Sequence, residues 1–266
     1  MAGIALGFSV PALWHSLQDL TDTTNWKTSR RKLMRGGFIN ENTVIRISFA
    51  YLYRIVVDNK YLLVLNARNT GKFQPVGGVY KFKSPEKNVL KNDYHVINDD
   101  KISIDDSSRS DYRLQLKNRY LRSFLKRFDS KAAMRERIDD LSREFKEELI
   151  DTGILSWTKL KYRICGRHIA EINYSKHFQV YELLLADIVE VIPNPQQESE
   201  LRALISTSNP NYTFVSADEI KSLGVDTDTG DLQERIADHT IKILQETEDE
   251  LLPIPGADKK YYSVAL

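Results

Sequence analysis

One cysteine, Cys165, stands in 266 residues, so no intramolecular disulfide can form. It sits beside Gly166 in a strand-like run and reads as a packing residue. Excess charge is missing too. Lysine and arginine number 38 against 37 acids, which gives the chain no bulk attraction to nucleic acid or to a membrane surface. Long apolar runs are also absent. The uncharged stretch Met1–Gln18 is too short to span a bilayer, contains Pro11 and His15, and lacks the basic start of a signal peptide. The expectation is a cytoplasmic protein with no stable membrane span, in which this segment packs or faces a partner. No internal repeat and no low-complexity tract is visible.

What the chain does contain is a crowded acidic motif, Arg143-Glu144-Phe145-Lys146-Glu147-Glu148. On a helix, Glu144, Glu147 and Glu148 stand at i, i+3 and i+4 and share one face. Like charges there repel, whereas Mg²⁺, a hard cation, takes carboxylate oxygens and keeps positions for water and phosphate. Met134, Ile138, Leu141, Phe145 and Leu149 form an apolar stripe that would anchor such a helix and leave the acids facing a cleft. Upstream, Phe73-Gln74-Pro75-Val76 reads as a strand entering Gly77-Gly78, where the backbone can approach a metal or phosphate closely. Roughly sixty residues separate the two motifs.

The flanking elements follow from pattern. Residues 1–42 form an N-terminal extension in which Trp14 and Trp26 bury against the main domain or serve a homodimer contact. A strand over 44–57 turns at Asp58-Asn59-Lys60 and returns over 61–66 as a β-hairpin. Arg46 and Arg54 alternate with its apolar residues and face solvent, or, for Arg46, reach a ligand phosphate. A short strand is expected around Ile102-Ser103-Ile104 and a second around Leu114 and Leu116. A helix over 119–128 follows. Arg113, Lys117, Arg119, Arg122, Lys126 and Arg127 make this region basic. They form either the charged outer face of a packed helix or a cap bringing positive charge to a polyphosphate. Asp129-Ser130 would cap a helix over 131–150, stopped by Gly153. Strands over 159–169 and 177–191, short helices over 197–205 and from Ser216, a final helix over 232–245 and a docking or flexible tail complete the chain. His168, Glu171, His177 and Glu182 are candidates for a general base or a further metal ligand.

The runs Ile45–Ile55, Phe73–Lys81 and Arg143–Leu149 resemble the SMODS-associated Nudix domains, found with cyclic-oligonucleotide synthases (CD-NTases) in bacterial anti-phage systems. The resemblance implies a Nudix fold, an α/β/α sandwich around a mixed β-sheet, over 43–248. An insertion at about 82–130 would lie inside the Nudix box, followed by a tail over 249–266. It implies Mg²⁺ (or Mn²⁺) held by Glu144, Glu147 and Glu148, with Gly77 or Gly78 completing the site. Arg143 would pair with an acid to hold the loop and helix together. Gly78, Arg46, Arg113 and Lys117 are the candidate ligand-binding residues. The implied chemistry is attack of water on the pyrophosphate of a nucleoside diphosphate derivative; the alternative is a sensor of cyclic oligonucleotides that binds without turnover. By strict counting the acid expected six residues after the second glycine falls at Ser84, and Ile150 replaces the glycine after the Glu-Glu pair.

Overall fold

The run from Val44 is apolar at nearly every position, as suits a strand covered on both faces. The computed structural model, which describes residues 25–66, 70–99, 101, 108–225 and 233–266, places this strand at the centre of the fold. Strand β1 (Val44–Arg54) lies parallel to β10 (Val180–Val191) and antiparallel to β7 (Arg113–Lys117). The main sheet runs β12 (Tyr262–Ala265), β8 (Lys159–Ile169), β10, β1, β7 and β6 (Ile97–Asn98). Two short strands join its interior, β5 (Gly77–Val79) on β1 and β9 (Asn173–Ser175) on β10. A smaller sheet holds β2 (Val56–Val57), β3 (Lys60–Leu65), β4 (Phe73–Gln74) and β11 (Tyr212–Val215). The fold is therefore mixed α/β, as the sequence led us to expect.

Alternation along β1 divides the molecule. Ile45, Ile47, Phe49, Tyr51 and Tyr53 are fully buried on one face. There Phe49 meets Phe124 and Phe128 of the helix α3 (Asn118–Asp129), and Tyr53 meets Phe145. Arg46, Ser48, Ala50, Leu52 and Arg54 alternate onto the other face. Beyond Leu52 that face is closed by a second core of Leu63, Ile188, Val215, Ile220, Ile236 and Ile243. Short of Leu52 the small side chains Ser48, Ala50 and Ala186 leave a floor without a roof.

Several expectations require correction. The strand over 44–57 breaks at Ile55, and Asp58 and Asn59 take positive φ (50° and 60°) in the tight turn joining β2 to β3. The helix expected over 131–150 forms only as α4 (Arg143–Phe145) and a π-helical turn, Lys146–Ile150. Upstream of it the backbone bonds sideways: Lys83 N donates to Met134 O, Glu136 N to Lys81 O, and Phe82 bridges Arg135. Those bonds are unavailable to a helix, so Met134 is exposed and the apolar stripe keeps only Leu141, Phe145 and Leu149 as fully buried members. Ser130 instead caps the C-terminus of α3, where its N–H and its hydroxyl both donate to Arg127 O, and starts no helix.

The region over 82–130 is no separate cap, because it supplies β7 to the sheet and α3 to the core. Helix α2 (Ser84–Tyr94) docks through Glu86, which pairs with Arg127. The basic residues Arg119, Arg122 and Lys126 face outward from a helix that buries Leu121, Phe124, Leu125 and Phe128. Two 3₁₀ turns, Asp238–Ile243 and Gln245–Glu250, replace the final helix over 232–245, and the tail ends as edge strand β12. Helix α1 (Asn25–Arg35) buries Trp26 as expected and reaches α3 through Arg30 and Asn118 (2.6 Å). The readings of Met1–Gln18, Trp14 and Ile102-Ser103-Ile104 lie outside the described residues.

Candidate functional site

The unroofed side of the main sheet opens into a cleft of about 780 Å³. Its first wall is the acidic motif. The halves meet because β5 pairs with β1 at Leu52–Gly77 and Tyr51–Gly78 while Phe145 locks the motif onto Tyr53 beneath. Gly77 has φ +145°, and a Cβ there would stand 2.3 Å from Tyr51 O. A Cβ on Gly78 would stand 1.8 Å from Glu144 Oε1, so only glycine lets that carboxylate lie against the loop. Gly77 N donates to Glu148 Oε2 at 2.9 Å, a direct bond between the two halves.

Arg143 is the hub. Its Nε and Nη2 donate to the two oxygens of Glu136 (2.6 and 3.2 Å), its Nη1 to Glu144 (2.6 Å) and Glu147 (3.3 Å), and its Nη2 also to Val79 O. Burial works against the charge on Arg143, but the Glu136 bond and the surrounding acids outweigh it and raise its pKa. Glu136, seven positions before Arg143, is thus the acid that fixes the arginine, and it also accepts from Lys81 N. Ser84, where strict counting placed the expected acid, starts helix α2 instead.

Three carboxylates, Glu136, Glu144 and Glu147, share this one guanidinium, and a fourth, Glu148, stands beside them on the Gly77 amide. Burial raises the pKa of Glu148 to about 8, offset by the Gly77 bond and reinforced by Glu144 and Glu147. Glu144 is raised in the same way, with Arg143 opposing. Buried acids short of positive charge are what a divalent cation relieves, so the residues present fit a metal. In the structure their oxygens are turned to Arg143 and Gly77. Among the described residues the ligand atoms that crowd within 4.8 Å are instead those of Cys165, Glu190 and Glu248. That group is already neutralised, since Arg54 pairs with Glu248 and Arg163 with both glutamates. Burial raises the Cys165 thiol to about 11, in keeping with a packing role. The motif, with more carboxylates than cations, fits a divalent ion better than this neutralised group does.

Lys81, Asp111 and Arg113 line another side of the cleft. Asp111 lies 3.8 Å from Arg113 and 4.0 Å from Lys81, and burial raises its pKa to about 6 against the pull of both. His239 and Lys242 complete the lining from the 3₁₀ turn Asp238–Ile243. Of the residues anticipated, the structure brings together Gly77, Gly78, Arg143, Glu144, Glu147, Glu148 and Arg113. It does not bring Arg46 or Lys117 to the cleft. Arg46 is buried against Asp99 (2.7 Å), Glu182 (3.0 Å) and the Phe178 ring. Lys117 is exposed at the far end of β7, opposite Val44. None of the four candidate bases lines the cleft: Glu182 holds Arg46, His168 meets Lys242 O, and Glu171 and His177 are exposed. Lys81, Asp111, His239 and Lys242 were missed because neither spacing nor motif links them; only the sheet register and the return of the chain after Phe73 do.

A Gly-Gly strand joined to an Arg-Glu…Glu-Glu turn, on the central parallel strand of a mixed sheet, is the arrangement of a Nudix domain. The family model for the SMODS-associated Nudix domain matches residues 44–244, and the chain belongs to that family. No curated protein and no solved structure matches it.

Proposed function

We propose that the protein is a Mg²⁺- or Mn²⁺-dependent hydrolase that cleaves the phosphoanhydride bond of a nucleoside diphosphate derivative. The observation that carries this reading is the cleft itself: surplus carboxylates on one wall, and Lys81, Arg113 and Lys242 on the others. A divalent ion bound by Glu144, Glu147 and Glu148, with Gly77 nearby, would polarise the phosphate and activate water. Arg143 holds Glu144 and Glu147 in place, and the Gly77 amide orients Glu148. Arg113 and Lys81 take phosphate charge as the water oxygen bonds to phosphorus. The bridging P–O bond breaks with its electron pair on the leaving phosphate, and the water proton is released to solvent. The test is Mg²⁺-dependent release of a nucleoside monophosphate from dinucleoside diphosphates and nucleotide sugars. Equal turnover by the wild type and by the Glu147→Gln, Glu148→Gln double variant would remove the proposal.

A second reading is a cyclic-oligonucleotide sensor that works with a CD-NTase in anti-phage defence. It is favoured by the volume of the cleft and by Ile150 in place of the box glycine. Tight calorimetric binding of cyclic di- or trinucleotides without products would select it over hydrolysis. Among the described residues no helix is long and apolar enough to cross a membrane. A cytoplasmic location and a homodimer formed through residues 1–42 belong to the same proposal.

A further inference from the structure

The 3₁₀ turn Asp238–Ile243 is a short, irregular segment, yet it is fixed from three directions. Phe73 N donates to Arg235 O and Ala237 N to Phe73 O (both 2.8 Å), tying the approach to β4, four residues before Gly77. Arg54, wholly buried, sends Nε to Ile243 O (2.6 Å) and Nη2 to Leu244 O (2.9 Å), tying the exit to the end of β1. His168 Nε2 meets Lys242 O at 3.1 Å, which pins the middle to β8. Ile236, Ile243 and Leu244 bury beneath it.

A 3₁₀ helix has three residues per turn, so side chains at i and i+3 eclipse. His239 and Lys242 have that spacing, and both line the cleft beside the floor residues Leu184 and Ala186. Burial lowers the pKa of each, and Asp238 partly offsets the effect in both. Among the described residues, no carboxylate lies within ion-pair distance of the Lys242 ammonium and no acceptor within hydrogen-bond distance. The other cleft cations differ: Lys81 and Arg113 share Asp111, and Arg143 serves three acids. An ammonium with no direct ion-pair partner among the described residues, carried on a turn held from three directions and lining the cleft, is a ready anion ligand.

We propose that Lys242, with His239 beside it, is a specificity-determining contact for the ligand phosphate that the acid-bound metal does not hold, so that this wall selects diphosphates over monophosphates. The inference rests on the reading of the cleft as a diphosphate site and is independent of turnover.

The test is calorimetric titration of the full-length protein with Mg²⁺ and two probes, AMP and the non-hydrolysable α,β-methylene-ADP. The wild type should prefer the diphosphate analogue. Lys242→Gln should cut that preference by about ten- to a hundredfold, as expected for one lost charge-assisted contact. Lys242→Arg should retain most of it, and Lys87→Gln, on the exposed face of α2, should match the wild type. Thermal unfolding of each variant checks that the turn remains packed. An unchanged preference in Lys242→Gln, with the wild type binding, overturns this inference alone. Failure of the wild type to bind the diphosphate with Mg²⁺ overturns it together with the diphosphate reading of the cleft.

Discussion

Glu148 offers a way to detect the metal site without any substrate. Its carboxyl has a pKa of about 8 in the folded chain, against an unfolded value of about 4.3. A raised folded pKa means that the contribution to stability is fully present below the unfolded value and is lost as pH rises through the folded one. Between about pH 5 and pH 8 the unfolded chain has released this proton and the folded chain keeps it, which sets a ceiling of about 4 kcal/mol at ~1.4 kcal/mol per pH unit. The cleft is open to water on one side, and screening there reduces the expected loss to about 2 kcal/mol. For a chain of this size that is a fall in Tm of roughly 4–8 °C. Glu148→Gln keeps an oxygen for the Gly77 amide and removes the proton equilibrium, so its decline over the same range should be smaller by that amount. Mg²⁺ should restore stability to the wild type at pH 8 and leave the variant nearly unaffected. Scanning calorimetry at the two pH values, with and without Mg²⁺, supplies all the comparisons. Superimposable pH profiles for wild type and variant would refute the electrostatic argument. Equal stabilisation of both by Mg²⁺ would refute the assignment of Glu148 as a ligand.

Two further substitutions probe the scaffold of the cleft. Glu136→Gln weakens both bonds to Arg143 Nε and Nη2, so we expect about 1.5–3 kcal/mol of destabilisation by urea unfolding. Any Mg²⁺-dependent activity should fall with it, even though Glu136 touches no ligand in the proposed mode. Arg54→Met leaves the carbonyls of Ile243 and Leu244 without their donor and Glu248 with Arg163 alone. Loss of a buried, fully bonded guanidinium should cost about 3–5 kcal/mol, and hydrogen exchange should accelerate first in the turn that carries Lys242.

How far the sequence could be read depended on the range of the interactions involved. β1, β8, β10 and α3 were legible because their apolar periods are local and long. That the acidic motif and the glycine pair would meet was legible because their order resembles a known box, whereas the glycines, expected as a loop, form strand β5. The helix over 131–150 was not, because its first half bonds to Lys81, Phe82 and Lys83, partners some fifty positions away that outbid local propensity. Arg46 and Arg54 illustrate the same limit: on an alternating strand an arginine suggests solvent, yet both are buried against acids or carbonyls drawn from distant segments. Lys242 and His239 were invisible for a related reason, since a 3₁₀ turn has no sequence signature strong enough to predict which surface it will face.

The segment between Gly78 and Arg143 has one more consequence, and it concerns assembly. Lengthening a closed loop adds only about (3/2)RT ln n, so spreading a compact box to this distance destabilises the native state by roughly 1 kcal/mol. The larger effect falls on kinetics, because contacts between remote positions form slowly. The Gly77–Glu148 bond joins residues 71 positions apart, so local contacts alone cannot form it. The central pair of the sheet, β1 and β10, meets over a longer span still, Ile45 against Tyr181. Closure of the acidic centre and completion of the sheet are both non-local events, so cation affinity would report on the whole assembly rather than on one segment.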